Sequence, residues 1–459
     1  MPKAPGDTAP EALGSTATGT AVLAAQAAAL RYEDIPDDVV TVAKQMILDT
    51  IGSAIAGAAD SGPQMVRDIV LPDSGTGRCS LFGIPKVRTT PSAAALANGT
   101  AAHALDFDDV LTSFTGHPSA PVLPAAFALA EEGRLTGRRL LEAFVTGIET
   151  EARIGTAVAP AHYKRGFHAT GTIGTFGAAA AAARILGVDA DAMEYALGVA
   201  GAQAAGLKSQ FGSMTKPLHA GKAASDGLLA ARLAALGFTS TRDVVACAQG
   251  FAATQADGLD LDVLTAPVGS PWYTLRTLFK MHASCHYTHS VFEAVRSLRS
   301  RVRADDVEGI TLRVNPDLLA ACDIHQPKTG LQAKFSMRYV AALALARGVA
   351  DPGQFTDEAV RQAAELHQLA AKVEVAPDPA MPHFTCECVL RARGGDRYEA
   401  THNTERPAWE VSPQEQTAAL ADKFTAIVTP VLGQARTAEL ASAILHLEDL
   451  ADVSGLLAD

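Results

Sequence analysis

A chain of 459 residues, 48% hydrophobic and 19% charged, reads as an ordinary globular protein with apolar side chain enough for two or three domains. Its formal net charge of −12 excludes nucleic acid and anionic membrane as main partners, since both need a basic footprint, so any anionic ligand must meet a local cationic pocket. Six cysteines (Cys79, Cys247, Cys285, Cys322, Cys386, Cys388) form no CxxC pair and no disulfide framework, and there is no charge-free apolar run of about 18 residues, so a reduced, cytoplasmic protein without a membrane span is expected.

Residues 1–18, rich in Pro, Gly, Ala and Thr, read as a disordered tail. Two helical patterns follow between Gly19 and Gly62, with Pro36 at the start of the second. After a Pro- and Gly-punctuated connection, Ser92 is expected to cap a helix through SAAALANGTAAHALDFDDV, on which His103 and Asp106 share a face. Asp108 and Asp109 then fall at its C-terminus, where the helix dipole disfavours carboxylates. Gly116 and Pro118 fix the loop around His117, a catalytic or a loop-bracing histidine. Helices resume through VLPAAFALAEE and RLLEAFVTGIETEARIGTAV. The segment AHYKRGFHATGTIGTFG then sets Tyr163, Lys164, Arg165 and His168 before an Ala-rich helix. Its Gly171, Gly174 and Gly177 match neither a dinucleotide fingerprint nor a P-loop and are expected to serve close helix packing.

A further helix leads past Lys208 to GSMTKPLHAGK, residues 212–222, which opens a helix running to Gly237. Ser213 or Thr215 suits its cap and Pro217 its first turn. His219 and Lys222 share a face, and Lys216 is expected just outside the first turn. Three basic groups at the positive end of a helix are out of place by a few tenths to about 1 kcal/mol, a conflict that a bound anion removes.

From Pro267 to about His402 strand patterns appear: GITLRV, KVEV and TCECVLRAR, the last turning at Gly394-Gly395 into DRYEATH. Helical patterns KFSMRYVAALALARG and TDEAVRQAAELHQLA lie between them. Two helices after Pro413 return to the earlier composition. The expected fold is therefore mainly α: an all-helical domain built from both chain ends (19–266 and 405–459) with an inserted α+β lid (267–404). His282, Cys285, His286 and His289 at the start of the lid have spacings compatible with zinc, but equally with a His-rich helix start beside a cleft, and no metal or other cofactor is expected.

Taken together, AAHALDFDDV, GHPSAPVLPA, GFHATGTIGTFGAAAAAARILG, GSMTKPLHAGKAASDGLLAARLAALGFT, KMHASCHYTHSVFEA and AKFSMRYVAALAL resemble the 2-methylcitrate dehydratase family, MmgE/PrpD, from about residue 19 to 450. The resemblance implies the same two-domain arrangement, a homodimer, and cofactor-independent chemistry on small di- and tricarboxylates: dehydration of 2-methylcitrate, decarboxylation of cis-aconitate or epimerisation of iminodisuccinate. By resemblance to the decarboxylases the catalytic positions are Asp106, His117, His168, Lys216, Lys280 and Tyr339; by resemblance to the epimerase, Tyr163 and Lys216. Where the decarboxylase pattern follows DFDD with threonine this chain has Val110, and the loop before His117 is one residue longer, which favours dehydration, then epimerisation. These reactions pass through a carbanion or enolate beside a carboxylate, so substrate-binding cations are needed near a proton donor. Lys208, Lys222, His219, Arg165, His103 and His286 are the expected binding groups, with Lys216 as base or proton shuttle and His168 and Tyr339 as acids.

Overall fold

The computed structural model describes residues 18–457. The tail expected over residues 1–18 lies outside these except for Thr18, whose hydroxyl accepts the Ala21 N–H and caps the first helix. The helical body contains α1 (Gly19–Ala29), α2 (Asp37–Gly57), α3 (Pro91–Ala104), α4 (Ser119–Glu132), α5 (Gly137–Val158), α6 (Ala169–Leu186), α7 (Ala190–Gln203) and α8 (Thr215–Ala235). Every residue of α6 from Ala169 to Ile185 is buried, the place for a helix built of Ala, Gly and Thr with no charged face. Gly171, Gly174 and Gly177 do serve packing: a Cβ on them would run into His219, Pro121 and Glu151 respectively.

α8 packs on both α6 and α3. Gly99 and Gly221 let α3 and α8 touch backbone to backbone, since a Cβ on Gly99 would lie 2.8 Å from the Cα of Gly221. This contact draws the end of α3 beside the start of α8. It therefore sets the distance between the two segments whose charges offend the dipole rule.

The connection before α3 holds an antiparallel hairpin, β1 (Cys79–Leu81) with β2 (Ile84–Thr89), that composition did not reveal because β1 is short and Pro85 interrupts the strand pattern of β2. The α3 helix is also shorter than expected. It starts after Thr90 and stops at Ala104, because Asp106 adopts a left-handed backbone (φ 51°) that ends the helical run.

The smaller part has a four-stranded sheet in the order β4-β3-β5-β6, with β3 (Val307–Val314), β4 (Val373–Pro377), β5 (Thr385–Ala392) and β6 (Arg397–Asn403). β3 runs parallel to β4 and antiparallel to β5, which pairs antiparallel with β6. Ile310, Leu312 and Val314 alternate inward with Cys386, Cys388 and Leu390, and α9 (His289–Leu298) and α10 (Met337–Ala346) pack with them in one core. The single helix expected over 356–370 is two short helices broken at Ala363, whose ψ of 58° is not helical.

α11 (Pro413–Leu432) and α12 (Gln434–Leu445) then return to the first core, where Leu420, Phe424, Val428, Leu440 and Ile444 are buried. α2 is long and apolar enough by composition to cross a membrane, but 83% of that window is buried within the protein, mainly against α3 and α11. The architecture is mainly α with a small α+β part. Leu105 and Phe107 belong to the second core while α3 belongs to the first, so the segment DFDD lies where the two cores meet.

Candidate active site

Asp106 is the centre of this junction. One carboxylate oxygen forms a short ion pair with Lys280 and the other lies 2.9 Å from the Lys216 ammonium; all three side chains are buried. Burial by itself would raise the Asp106 carboxyl, but Lys216 and Lys280 outweigh it and hold the group well below the usual carboxylate range. Lys280 stays above its ordinary value for the complementary reason: Asp106 and Asp108 overcome desolvation. The carboxylates after α3 and the lysine at the start of α8, each misplaced on its own helix, neutralise one another. The anion that settles the conflict at α8 is thus first of all the protein's own Asp106.

Lys216 corrects an expectation. It sits inside the first turn of α8, 4% exposed, packed 5.6 and 5.2 Å from the Phe211 and Phe335 ring centres, because the helix begins at Thr215 with no side-chain cap. Lys280 is braced from behind. The Lys423 ammonium of α11 donates to the backbone carbonyls of Lys280 (2.9 Å) and Phe107 (2.6 Å) and pairs with Asp49 of α2 at 2.5 Å. Lys334 likewise donates to Leu105 O at 2.7 Å, and burial lowers it to about 8. Neither lysine was singled out from sequence, although a helix ending in ALDFDDV without a basic residue leaves its last carbonyls wanting cationic partners.

Five histidines lie around the triad. His103 Nδ1 donates to Asp108 at 2.7 Å, and its ring stacks on His168 with centroids 5.5 Å apart. His117 Nδ1 faces the Asp109 carbonyl at 2.8 Å, which can only accept, so the ring carries its proton there and turns a bare Nε2 towards Asp106, 4.0 Å away. His168 Nδ1 lies 3.0 Å from His219 Nδ1, while its buried Nε2 has no hydrogen-bond partner. His286 exposes two unpartnered nitrogens within the protein.

Of these groups Lys216, His117, His168 and His286 line an inner cavity of about 30 Å³ with Val110, Phe211, Phe335 and Phe384. A cavity of about 340 Å³ lies outside it, with Lys164, Lys208 and Asp317 in its walls. Tyr163 and Tyr287, hydrogen-bonded to each other, line both. The inner space admits a water rather than a tricarboxylate, and these two tyrosines are shared between its wall and that of the larger cavity.

The structure brings together Asp106, His117, His168, Lys216, Lys280, His103, His219, His286 and Tyr163, with Lys208 in the outer cavity, its ammonium 3.8 Å over the Tyr163 ring. It does not bring in three others. Arg165 pairs with Asp257 on the surface, and Lys222 is turned away to Asp226 and Gln203 O. Tyr339 is in the interior of the small domain against Phe355 and His367, because Ser336 caps α10 and sets that residue on the face towards the core. Tyr287 is a member that the sequence did not single out, and Asp108, marked only as a misplaced carboxylate, proves to hold the His103 ring.

His282, His286 and His289 pack ring to ring (centroids 4.9 and 5.0 Å), but His282 bonds Glu293, His289 faces Ser284 O and Cys285 shares a thiol hydrogen bond with Cys322, and among the described residues they form no compact donor set. Among the described residues the donor set of His103, Asp108 and His117 does lie within 4.8 Å. Both rings turn Nδ1 to oxygens, and the carboxylates Asp106 and Asp108 are offset by Lys216 and Lys280.

Burial first, then neighbouring lysines (for His168, the His103 ring and then Lys216), keeps His103, His117 and His168 well below the ordinary histidine value and His219 and His286 down to about 4 and 3. A histidine lowered on folding binds its proton more readily in the unfolded chain, so native stability falls as pH drops below about 6.5 and goes on falling until the folded values are reached. The thermal midpoint is therefore expected to decline steeply from pH 7 to pH 5. A flat profile across that range would mean that these rings are solvated in the native protein.

Known sequences place this arrangement. The MmgE/PrpD N-terminal domain matches residues 21–264 and the MmgE/PrpD C-terminal domain residues 282–449. The chain is 30% identical over 445 residues to a cis-aconitate decarboxylase of Homo sapiens, spanning 93% of this chain and 91% of that protein. It is 29% identical over 457 residues to a cis-aconitate decarboxylase of Aspergillus terreus, with 93% of each chain covered. It is also 28% identical over 458 residues to the cis-aconitate decarboxylase-like protein oryM of Aspergillus oryzae, with 94% of each covered. The chain belongs to the MmgE/PrpD family and is a lyase.

Proposed function

We propose that this lyase removes a carboxylate from a cis-aconitate-like unsaturated tricarboxylate through a carbanion that is protonated inside the closed pocket. The observation that carries the reading is the buried Lys216 ammonium, joined through Asp106 to Lys280 and lining the same inner chamber as His168, whose Nε2 has no partner. Substrate carboxylates compete with Asp106 for the lysines, and the carboxylate that leaves is pressed against Val110, Phe211, Phe335 and Phe384, where loss of charge as CO2 is favoured. The C–CO2 bond breaks, its electron pair passes into the adjoining unsaturated system, and a carbon there takes a proton from His168. The names of the relatives support the same reading.

Elimination of water from a 2-methylcitrate-like acid is the second reading, and Val110 favours it: the side chain lines the inner cavity where the decarboxylase pattern has a hydroxyl. Thr112 and Thr115 line that cavity too, however, so the longer loop supplies hydroxyls by another route. Proton NMR in heavy water with cis-aconitate, 2-methylcitrate, citrate and iminodisuccinate separates the readings. Decarboxylation is expected to turn cis-aconitate into a new alkene that carries solvent deuterium. Alkene signals from 2-methylcitrate alone mark dehydration, and deuterium in an unchanged skeleton marks epimerisation. All four acids remaining inert and undeuterated would remove the polycarboxylate reading.

A further inference from the structure

His168 presents a difficulty as an acid. Its ring is 1% exposed, stacked on His103 and close to Lys216, so it is neutral. A neutral imidazole that gives up its Nε2 proton becomes an imidazolate, a strongly disfavoured anion, unless a proton arrives at Nδ1 in the same event. Among the described residues one group is bonded at Nδ1: His219, with its own Nδ1 at 3.0 Å. Two Nδ1 atoms at that distance share one hydrogen, because two bare lone pairs would repel and two N–H groups would clash. Gly171 makes the approach possible, since a Cβ there would lie 2.9 Å from the Cβ of His219 and push α8 off α6. His219 is the outer ring of the two, 8% exposed against 1%, so the pair leads from the cavity towards solvent.

From this geometry, and resting on the reaction proposed above, we infer that His219 is a proton-relay residue that makes His168 a workable acid. Before reaction His219 holds a proton on Nδ1 and donates it to the bare Nδ1 of His168, whose own proton is on Nε2. As carbon takes the Nε2 proton, the Nδ1 proton crosses to His168 and water supplies one to His219 Nε2. Both rings remain neutral, and one proton has entered from solvent. When the pocket opens, water at Nε2 of His168 reverses the two tautomers. His219 touches no substrate in this scheme; it acts through His168 alone.

His219→Gln tests this directly. Glutamine reaches His168 Nδ1 and donates a hydrogen bond there, but it cannot hand the proton over. The variant is expected to lose about 100-fold in kcat on the accepted acid with KM unchanged, as loss of a general-acid step does. His219→Ala is expected to recover part of that loss when imidazole is added. Wild-type kcat in the glutamine variant overturns the relay; so does a loss in both variants that imidazole does not relieve, which is a packing role. Should the wild type turn over none of the acids, the proposed reaction falls, and nitrogen-15 histidine spectra of the unliganded protein at pH 7 still decide the relay. They are expected to show two neutral rings with Nδ1 protonated in one and bare in the other. Both Nδ1 atoms bare would sink it.

Discussion

Asp106→Asn is expected to abolish turnover and to lower stability by about 3–5 kcal/mol, the usual cost of breaking a buried ion pair while leaving its partner charged. Here two partners are left, Lys216 and Lys280, one of them fully buried. Asparagine is the informative replacement because it tolerates the left-handed backbone at this position (φ 51°), so the loss reports the charge and not the turn. Adding Lys280→Met should return part of the stability and none of the activity. Thermal midpoint and turnover of the single and double variants are the measurements. A single variant that melts with the wild type would mean that the lysines are neutral in the native protein and that the charge scheme is wrong.

Lys216→Ala is expected to reduce turnover by about 10³-fold or more, the scale of removing an electrostatic or proton-transfer group. The effect on stability should be smaller than for Asp106→Asn, because Asp106 keeps Lys280. Lys216→Arg should be nearly as inactive. Its wider planar head has to fit between Phe211 and Phe335, where the lysine ammonium now sits. Retention of more than a tenth of wild-type turnover by the alanine variant would make the position structural.

Much of this site was legible because charge on a helix end is informative whatever the fold. Lys216 on one helix and Asp106, Asp108 and Asp109 after another each break the dipole rule, and the structure joins the two anomalies. The sequence could not show that they answer each other, since that depends on Gly99 meeting Gly221 across two helices. For the same reason Lys216 was expected at the rim of its helix: nothing local signals burial of a lysine whose counter-ion is over a hundred residues away. Lys334 and Lys423 were missed because they brace backbone carbonyls, which leave no mark on side-chain patterns, and the one carboxylate on Lys423, Asp49, is 374 residues away. Tyr339 is the opposite case, a motif position that carries the resemblance and yet packs in a core. The lid strands were read from their alternation, whereas β1 is too short to show a period and Pro85 interrupts β2.

The brace that Lys423 provides has a consequence for synthesis. Asp49, Phe107 and Lys280 all leave the ribosome well before the residue that ties them together. A nascent chain that ends before α11 holds the lysine pair and Asp106 but leaves the Asp49 carboxylate without its cation and the Lys280 and Phe107 carbonyls without a donor. The floor of the site is thus finished only in the last tenth of translation. A chain cut short there lacks not only this brace but also Leu420, Phe424 and Val428, which fill the first core, so the floor of the site and the packing beneath it are completed by the same helix.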